Sequence, residues 1–121
     1  MCIKRFLAVT ALALASTVTS SAFAHAKLQS SDPKAGSTLG GAPKQVRLKF
    51  NEAVEPAFSK IMLLGTGDKE IPISGATVDK VDPTVMTAPL PPLPAGEYRV
   101  RWSTMTHDGH KTKGDVPFTI K

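Results

Sequence analysis

Apolar and polar residues alternate with a period of two in three segments of the chain, residues 44–50, 98–103 and 115–120. Successive side chains of a half-buried β-strand point to opposite faces of the sheet, so this alternation predicts three strands with one face toward a core. Because proline cannot donate a ladder hydrogen bond, Pro117 predicts that the third strand lies near a sheet edge. The residues predicted to face the core are Val46, Leu48, Phe50, Tyr98, Val100, Trp102, Val116, Phe118 and Ile120.

Shorter apolar segments separated by turn residues predict further strands. Turn pairs such as Gly40-Gly41 and Asp82-Pro83 separate these segments, and residues 52–59 are expected to form a loop with one helical turn. About seven or eight short strands at this spacing favour an all-β fold, an antiparallel Greek-key β-sandwich. The shorter candidates are residues 26–29, 60–64, 71–74, 77–81 and 85–88.

The first 24 residues have the three parts of a secretory signal peptide. A short basic start precedes an apolar run over residues 6–15, and Ala22-Phe23-Ala24 forms a small-x-small cleavage site. A membrane-spanning helix would need about 20 apolar residues, and polar residues follow this run too soon. We therefore predict cleavage after residue 24 and a single exported domain over residues 25–121.

Loss of residues 1–24 would change which residue types are present in the exported domain and so which chemistry it can perform. The only cysteine, Cys2, would leave together with Lys4 and Arg5, so 97 of the 121 residues would remain with a net charge of +3 instead of +5. Without cysteine the domain has no disulfide, no thiolate nucleophile and no iron–sulfur cluster. Its basic residues are interleaved with acidic ones, which argues against nucleic-acid binding. No nucleophile elbow, P-loop or dinucleotide fingerprint occurs either.

The placement of histidines is the remaining chemical signal. Cleavage after residue 24 would give His25 a free α-amine, which could chelate one metal ion together with its own Nδ1. The imidazole of His110 would add a third nitrogen and Asp108 an oxygen, a tetragonal donor set that suits Cu(II). On an extended segment Asp108 and His110 would point to the same side. His107 would point to the opposite side and lie outside the ligand set.

Simpler interpretations of these residues stay open. A histidine can stand beside a cleavage site by chance, and Asp-Gly is a common turn pair, so residues 106–110 could form a polar turn without a metal. Met62, Met86 and Met105 are scattered along the chain, and Trp102 belongs to a strand pattern. This distribution favours core positions over ligand roles for all four residues.

Short motifs in a fixed order extend over nearly all of residues 25–121. They are His25-Ala26-Lys27-Leu28, Ser30-Ser31-Asp32-Pro33, Gly36-Ser37, Leu48-Lys49-Phe50-Asn51-Glu52, the segment 94–102 (PAGEYRVRW), and Asp108-Gly109-His110 followed by Gly114. In this order they resemble the periplasmic CopC-type copper-resistance proteins. The resemblance implies an immunoglobulin-like or cupredoxin-like β-sandwich that binds copper in the periplasm without catalysing a reaction.

The resemblance also implies a ligand set. In the family, Cu(II) is held by an N-terminal histidine, by the histidine of a late Asp-x-His element and often by its aspartate, which correspond here to His25, His110 and Asp108. A glutamate lies near the site in some members and corresponds to Glu52, as a neighbouring group or weak ligand. Other members have a methionine-rich loop for Cu(I), but this chain has no Met-x-x-Met cluster. The resemblance is therefore to the type that binds one Cu(II) ion per chain.

The leading functional prediction is a monomeric periplasmic carrier or buffer for Cu(II) that is not an enzyme and that delivers copper to an inner-membrane transporter of the CopD type. The alternative is a copper-dependent polysaccharide monooxygenase, because an N-terminal histidine and a second histidine form the histidine brace of such enzymes. Few aromatic residues remain after residue 24 to form a platform for a polysaccharide. A third hypothesis, a structural domain without metal, requires His25 and His110 to be far apart.

Overall fold

The segments with alternating residues are strands in the structure. The structure is a computed structural model that describes residues 26–121, and both the predicted signal peptide and His25 lie outside these residues. Two single 3₁₀ turns, Pro56–Phe58 and Thr66–Asp68, complete the regular structure. The strands of the described residues are β1 (Leu28–Asp32), β2 (Ser37–Leu39), β3 (Gln45–Phe50), β4 (Lys60–Leu64), β5 (Glu70–Ile71), β6 (Thr77–Val78), β7 (Val85–Pro89), β8 (Gly96–Met105) and β9 (Lys111–Ile120).

The strands form two sheets that share one core. One sheet has the strand order β1-β3-β7-β6, and the other has the order β2-β9-β8-β4-β5. Consecutive strands often lie in opposite sheets, so the chain crosses between them repeatedly, as Greek-key sandwiches do. The predicted all-β sandwich is confirmed, and so is the single helical turn expected within residues 52–59.

Strand β2 is the main departure from the predicted strand set. It pairs in parallel with β9, whereas every other strand pair in the described residues is antiparallel. Its sequence, Ser-Thr-Leu, is too short to show an alternating pattern. The position of β2 is set by its ladder to β9, which is some 80 residues away along the chain, so no local pattern could have predicted it.

Pro117 is accommodated where the β2 ladder begins. Strand β9 is second from the edge of its sheet, and the carbonyl oxygen of Pro117 accepts a hydrogen bond of 2.7 Å from the amide of Gly36. The amide nitrogen and carbonyl of one strand residue point to the same side, so the donor that proline lacks faces β2 and not β8. The long ladder between β8 and β9 therefore loses no hydrogen bond at this position.

All nine predicted core residues are buried between the sheets. Strand β3 shows the expected alternation of exposed and buried positions along its whole length. The ring of Tyr98 stacks on that of Phe118 at 5.5 Å, and its hydroxyl donates to the carbonyl oxygen of Pro94 at 2.6 Å. Tyr98 thus buries an aromatic ring without leaving a polar atom unsatisfied.

One close approach in the core depends on the absence of a side chain. Gly114 lies opposite Trp102 in the ladder between β8 and β9, and a Cβ atom built on Gly114 would lie 2.6 Å from Cζ2 of the indole. The indole has little room to move, since it also packs edge-to-face against Phe50 with 5.0 Å between ring centroids. The absence of a side chain at Gly114 therefore leaves the space that the Trp102 indole occupies in the core.

We expect Gly114→Ala to destabilise the fold by about 1–3 kcal/mol, the usual cost of overpacking a core. Urea unfolding followed by circular dichroism measures this cost. Gly40→Ala is the matched control, because no heavy atom lies within 4 Å of a Cβ at that position. Equal unfolding midpoints for the two variants would show that the indole moves aside without cost.

Candidate metal centre

Residues 106–110 form the turn that joins β8 to β9. The amide of Gly109 donates to the carbonyl oxygen of Thr106 at 2.9 Å, and the amide of Thr106 donates to the carbonyl oxygen of His110 at 3.0 Å. Gly109 has a φ of +84°, a conformation that glycine adopts without the strain a side chain would bring. The two hydrogen bonds close the turn tightly and bring residues 108 and 110 to the same end of the ladder.

Asp108 and His110 meet within this turn. Nδ1 of His110 lies 3.1 Å from Oδ2 of Asp108, and both side chains remain partly open to solvent. The hydroxyl of Thr106 donates to the other carboxylate oxygen, Oδ1. This hydrogen bond, with the nearby His110, holds the pKa of Asp108 below its ordinary value. The site thus presents an ionised carboxylate beside an imidazole.

The geometry behind this pair differs from the expected one. The pairing of Asp108 with His110 was predicted for an extended segment, in which residues two apart share a face. The segment is instead a turn with a left-handed glycine, and the side chain of Thr106 orients the carboxylate within it. The sequence therefore predicted the pairing of Asp108 with His110 but not its cause, which is the turn together with the Thr106 hydroxyl.

His107 contacts a different partner from Asp108 and His110. Its side chain is 83% exposed, and its Nδ1 contacts Oε1 of Glu55 in the loop between β3 and β4. The amide of Glu55 donates to the carbonyl oxygen of Met105 at 2.8 Å, which ties that loop to the end of β8. Sequence reasoning did not single out Glu55, because it lies 52 residues before its histidine partner.

Glu52 lies beside the turn. It lines an open cleft of about 330 Å³ together with Ala53, Thr106, His107 and Asp108. The half-buried Glu52 side chain and the Asp108 carboxylate therefore border the same space. Glu52 therefore lies near Asp108, as expected for a group beside the metal centre.

The start of the described chain is tied to the same end of the sandwich. The amide of Lys27 donates to Oδ1 of Asn51 at 2.6 Å, and the amide of Asn51 donates back to the carbonyl oxygen of Lys27 at 3.0 Å. The hydroxyl of Thr112 donates to the carbonyl oxygen of Ala26 at 2.8 Å, and Ala26 is buried. Residue 26 is thereby held between the end of β3 and the start of β9. Strand β9 begins directly after His110. Thr112 is the second residue that sequence reasoning missed.

The described residues alone do not complete a metal centre. No group of three or more His, Cys, Asp or Glu side chains in residues 26–121 has a placement that could hold a metal ion. Asp108 and His110 supply two donors of the nitrogen and oxygen type that divalent copper prefers. His25, the predicted source of the other nitrogens, lies outside the described residues.

The three methionines of residues 26–121 lie on three different strands, and only Met105 is next to the turn. Met86 is buried in the core as predicted, whereas Met62 and Met105 are half-buried, and both lie on the outer face of the five-stranded sheet. Met62 pairs with Arg101, and Met105 follows four residues later on β8, about 14 Å away at 3.4 Å per residue. The expected core position is therefore wrong for Met62 and Met105.

Fold and centre together define a class: a small β-sandwich protein with a histidine and an aspartate exposed on a turn at one end. The CopC domain family matches residues 28–121, so the chain belongs to the CopC family. Copper resistance protein C of Escherichia coli is 38% identical over 108 residues, which cover 84% of this chain and 85% of that protein. The predicted resemblance to CopC-type copper-resistance proteins is confirmed.

Solved structures support the same assignment. The crystal structure of CopC from Methylosinus trichosporium OB3b matches with a TM-score of 0.76 at 33% identity, covering 80% of this chain and 94% of that one. The structure of PcoC, described as a methionine rich copper resistance protein from Escherichia coli, matches with a TM-score of 0.68 at 38% identity and covers 81% and 100%. In residues 26–121, no helix has the length and apolar character needed to cross a membrane.

We expect Thr106→Val to raise the pKa of Asp108. The hydroxyl of Thr106 stabilises the charged carboxylate, so its removal makes protonation easier. Carboxyl-carbon NMR titration of the metal-free protein measures the change. Thr106→Ser keeps a hydroxyl at this position and should titrate close to the native protein. An unchanged pKa in Thr106→Val would show that the hydroxyl does not act on the carboxylate.

Proposed function

We propose that this protein binds one Cu(II) ion per chain in the periplasm and carries or buffers it for copper resistance and homeostasis. The observation that carries the proposal is the anchoring of Ala26 by Thr112, two residues beyond His110. This hydrogen bond holds Ala26 at the end of the sandwich that bears the Asp108–His110 pair, and Ala26 is the residue that follows the proposed ligand His25 in the sequence. Membership of a family whose relatives are named for copper resistance supports the identity of the metal.

The proposed ligands are His25, His110 and Asp108. After cleavage at residue 24, His25 would supply its α-amine and its Nδ1, and His110 would supply the third nitrogen. Asp108, which is ionised and oriented by Thr106, would add an oxygen. Glu52 borders the cleft beside Asp108 and acts on the ion through space or as a weak ligand. His107 is engaged with Glu55 and takes no part in binding.

The donor set favours Cu(II) over Cu(I). Nitrogen and carboxylate ligands suit Cu(II), whereas Cu(I) prefers thiolate and thioether ligands. The described domain contains no cysteine, and its methionines are dispersed between the core and the outer face of one sheet. In this respect the chain contrasts with PcoC, whose description names it as methionine rich.

The surface supports a carrier more than a polysaccharide monooxygenase. Of the aromatic side chains in residues 26–121, Phe50, Tyr98, Trp102 and Phe118 are buried, and Phe58 alone is exposed. A flat aromatic platform would need several exposed rings. Asp108 would also occupy a copper position that an oxygenase keeps open for oxygen. The relatives quoted above are named for copper resistance and not for an enzymatic activity.

A carrier must also release its ion. The side chains of His110 and Asp108 are 33% and 48% exposed, so an incoming ligand can approach copper without unfolding the domain. The signal-peptide features of residues 1–24 support a periplasmic location, in which the monomer would deliver copper to an inner-membrane transporter. Nitrogen donors bind metal only when deprotonated, so acid would favour release.

Three substitutions rank the proposed ligands. His110→Ala should abolish tight Cu(II) binding because it removes an equatorial nitrogen, and Asp108→Ala should weaken binding less. His107→Ala is the matched control from the same turn and should change the affinity little. Isothermal titration with Cu(II) gives the ranking, and electron paramagnetic resonance should show nitrogen coupling of a tetragonal site in the native protein. If His107→Ala is the most damaging change, the ligand set is wrong.

Processing at residue 24 should create the high-affinity site. A free amine at His25 is a neutral donor after deprotonation, with a reference pKa of about 7.7–8.0, whereas a peptide nitrogen is not. The domain extended by one alanine before His25 should therefore bind Cu(II) far more weakly than the domain that begins at His25. Intact-mass spectrometry with and without Cu(II) reports both the cleavage site and the stoichiometry. Equal affinity of the two forms would contradict the amine ligand.

A further inference from the structure

The hydrogen bond that anchors Ala26 is part of a directed pair of threonines. Oγ1 of Thr112 lies 2.8 Å from the carbonyl oxygen of Ala26 and 2.9 Å from Oγ1 of Thr104. A hydroxyl carries one proton, and a carbonyl oxygen only accepts. Thr112 therefore donates to Ala26, and Thr104 must donate to Thr112. The direction of both hydrogen bonds follows from this count.

These hydroxyls occupy positions where an apolar pair would also fit. Thr104 and Thr112 lie opposite each other in the ladder between β8 and β9, on the inner face that also bears Val100 and Val116, and Thr104 is 1% exposed. A cross-strand pair of valines would have nearly the same shape without placing two hydroxyls in the core. The Thr112 hydroxyl is instead used to hold the carbonyl oxygen of the buried residue Ala26.

The anchored carbonyl belongs to Ala26, the first described residue, which directly follows the predicted ligand His25 in the sequence. Asn51 already holds Lys27 through two hydrogen bonds, so the Thr112 bond adds a constraint one residue closer to the start of the domain. Two fixed points on adjacent residues define the direction of the chain as well as its position. The bond at Ala26 is thus the described constraint that lies next in sequence to the proposed ligand His25.

We propose that Thr112, oriented by Thr104, is a positioning residue for copper binding, which holds Ala26 so that His25 is presented to Asp108 and His110. This inference rests on the proposed function. Thr112 touches no copper in this arrangement. It reduces the freedom of the chain start before the ion arrives, and this preorganisation raises affinity.

The test compares Cu(II) affinities, measured by chelator competition, of protein exported and processed from the full chain. Thr112→Val removes the hydroxyl while keeping the shape and should weaken binding about five- to tenfold, the loss expected for one intramolecular hydrogen bond. Thr112→Ser keeps the donor and should bind almost as the native protein does. Thr104→Val leaves the Thr112 hydroxyl in place without its own donor and should give a smaller loss.

Thr77→Val is the matched control. Thr77 and Thr87 form a similar hydroxyl pair at 3.2 Å between β6 and β7, in the other sheet. Its loss should leave Cu(II) affinity unchanged. Amide hydrogen exchange at Lys27 in the metal-free protein should become faster in Thr112→Val but not in Thr77→Val, which reports the release of the chain start directly.

A double-mutant cycle separates positioning from a general loss of structure. In an Asp108→Ala/His110→Ala background, both groups toward which Thr112 would position His25 are absent, so Thr112→Val should have little further effect on the residual Cu(II) affinity. An equal loss in both backgrounds would overturn the inference, as would native affinity in Thr112→Val. Both results leave the proposed function standing. A native protein that binds no Cu(II) would overturn the proposed function and this inference together.

Discussion

The antiparallel ladder between β8 and β9 is the constraint on which the rest of the molecule depends. It pairs ten consecutive residues of each strand, from Gly96 opposite Ile120 to Met105 opposite Lys111. Antiparallel pairing at this length fixes which side chains face the core and where the connecting turn closes. The five-stranded sheet is built outward from this ladder, with β2 on one side and β4 and β5 on the other.

The inner face of this ladder changes character along its length. Val100 opposite Val116 is apolar, and Trp102 opposite Gly114 fills the space between the sheets with one large ring. The next inner pair carries hydroxyls, and the turn beyond it carries a carboxylate and an imidazole. A single strand pair therefore supplies the core at one end and polar groups at the other. This gradient would allow the proposed chelating site to be held by a rigid element and still be open to solvent.

The proposed copper site combines a local part with a non-local part. Asp108 and His110 lie on one turn, so their relative placement needs only the hydrogen bonds of that turn and the hydroxyl of Thr106. The approach of the chain start depends instead on contacts with Asn51 and Thr112, which are 24 and 86 residues away from their partners. Because both sheets supply these contacts, a folded domain would be needed to assemble the proposed site.

The sequence by itself determined the alternating strands, their core faces and the residue types able to bind copper, because a period of two and the chemistry of side chains are local properties. The buried positions of Val46, Val100 and Phe118 followed from alternation alone. Only the tertiary structure decided the parallel pairing of β2, the contact of His107 with Glu55 and the hydrogen bond from Thr112 to Ala26. Each of these joins residues far apart in the chain, and such contacts depend on how the two sheets pack, which no short segment of sequence encodes.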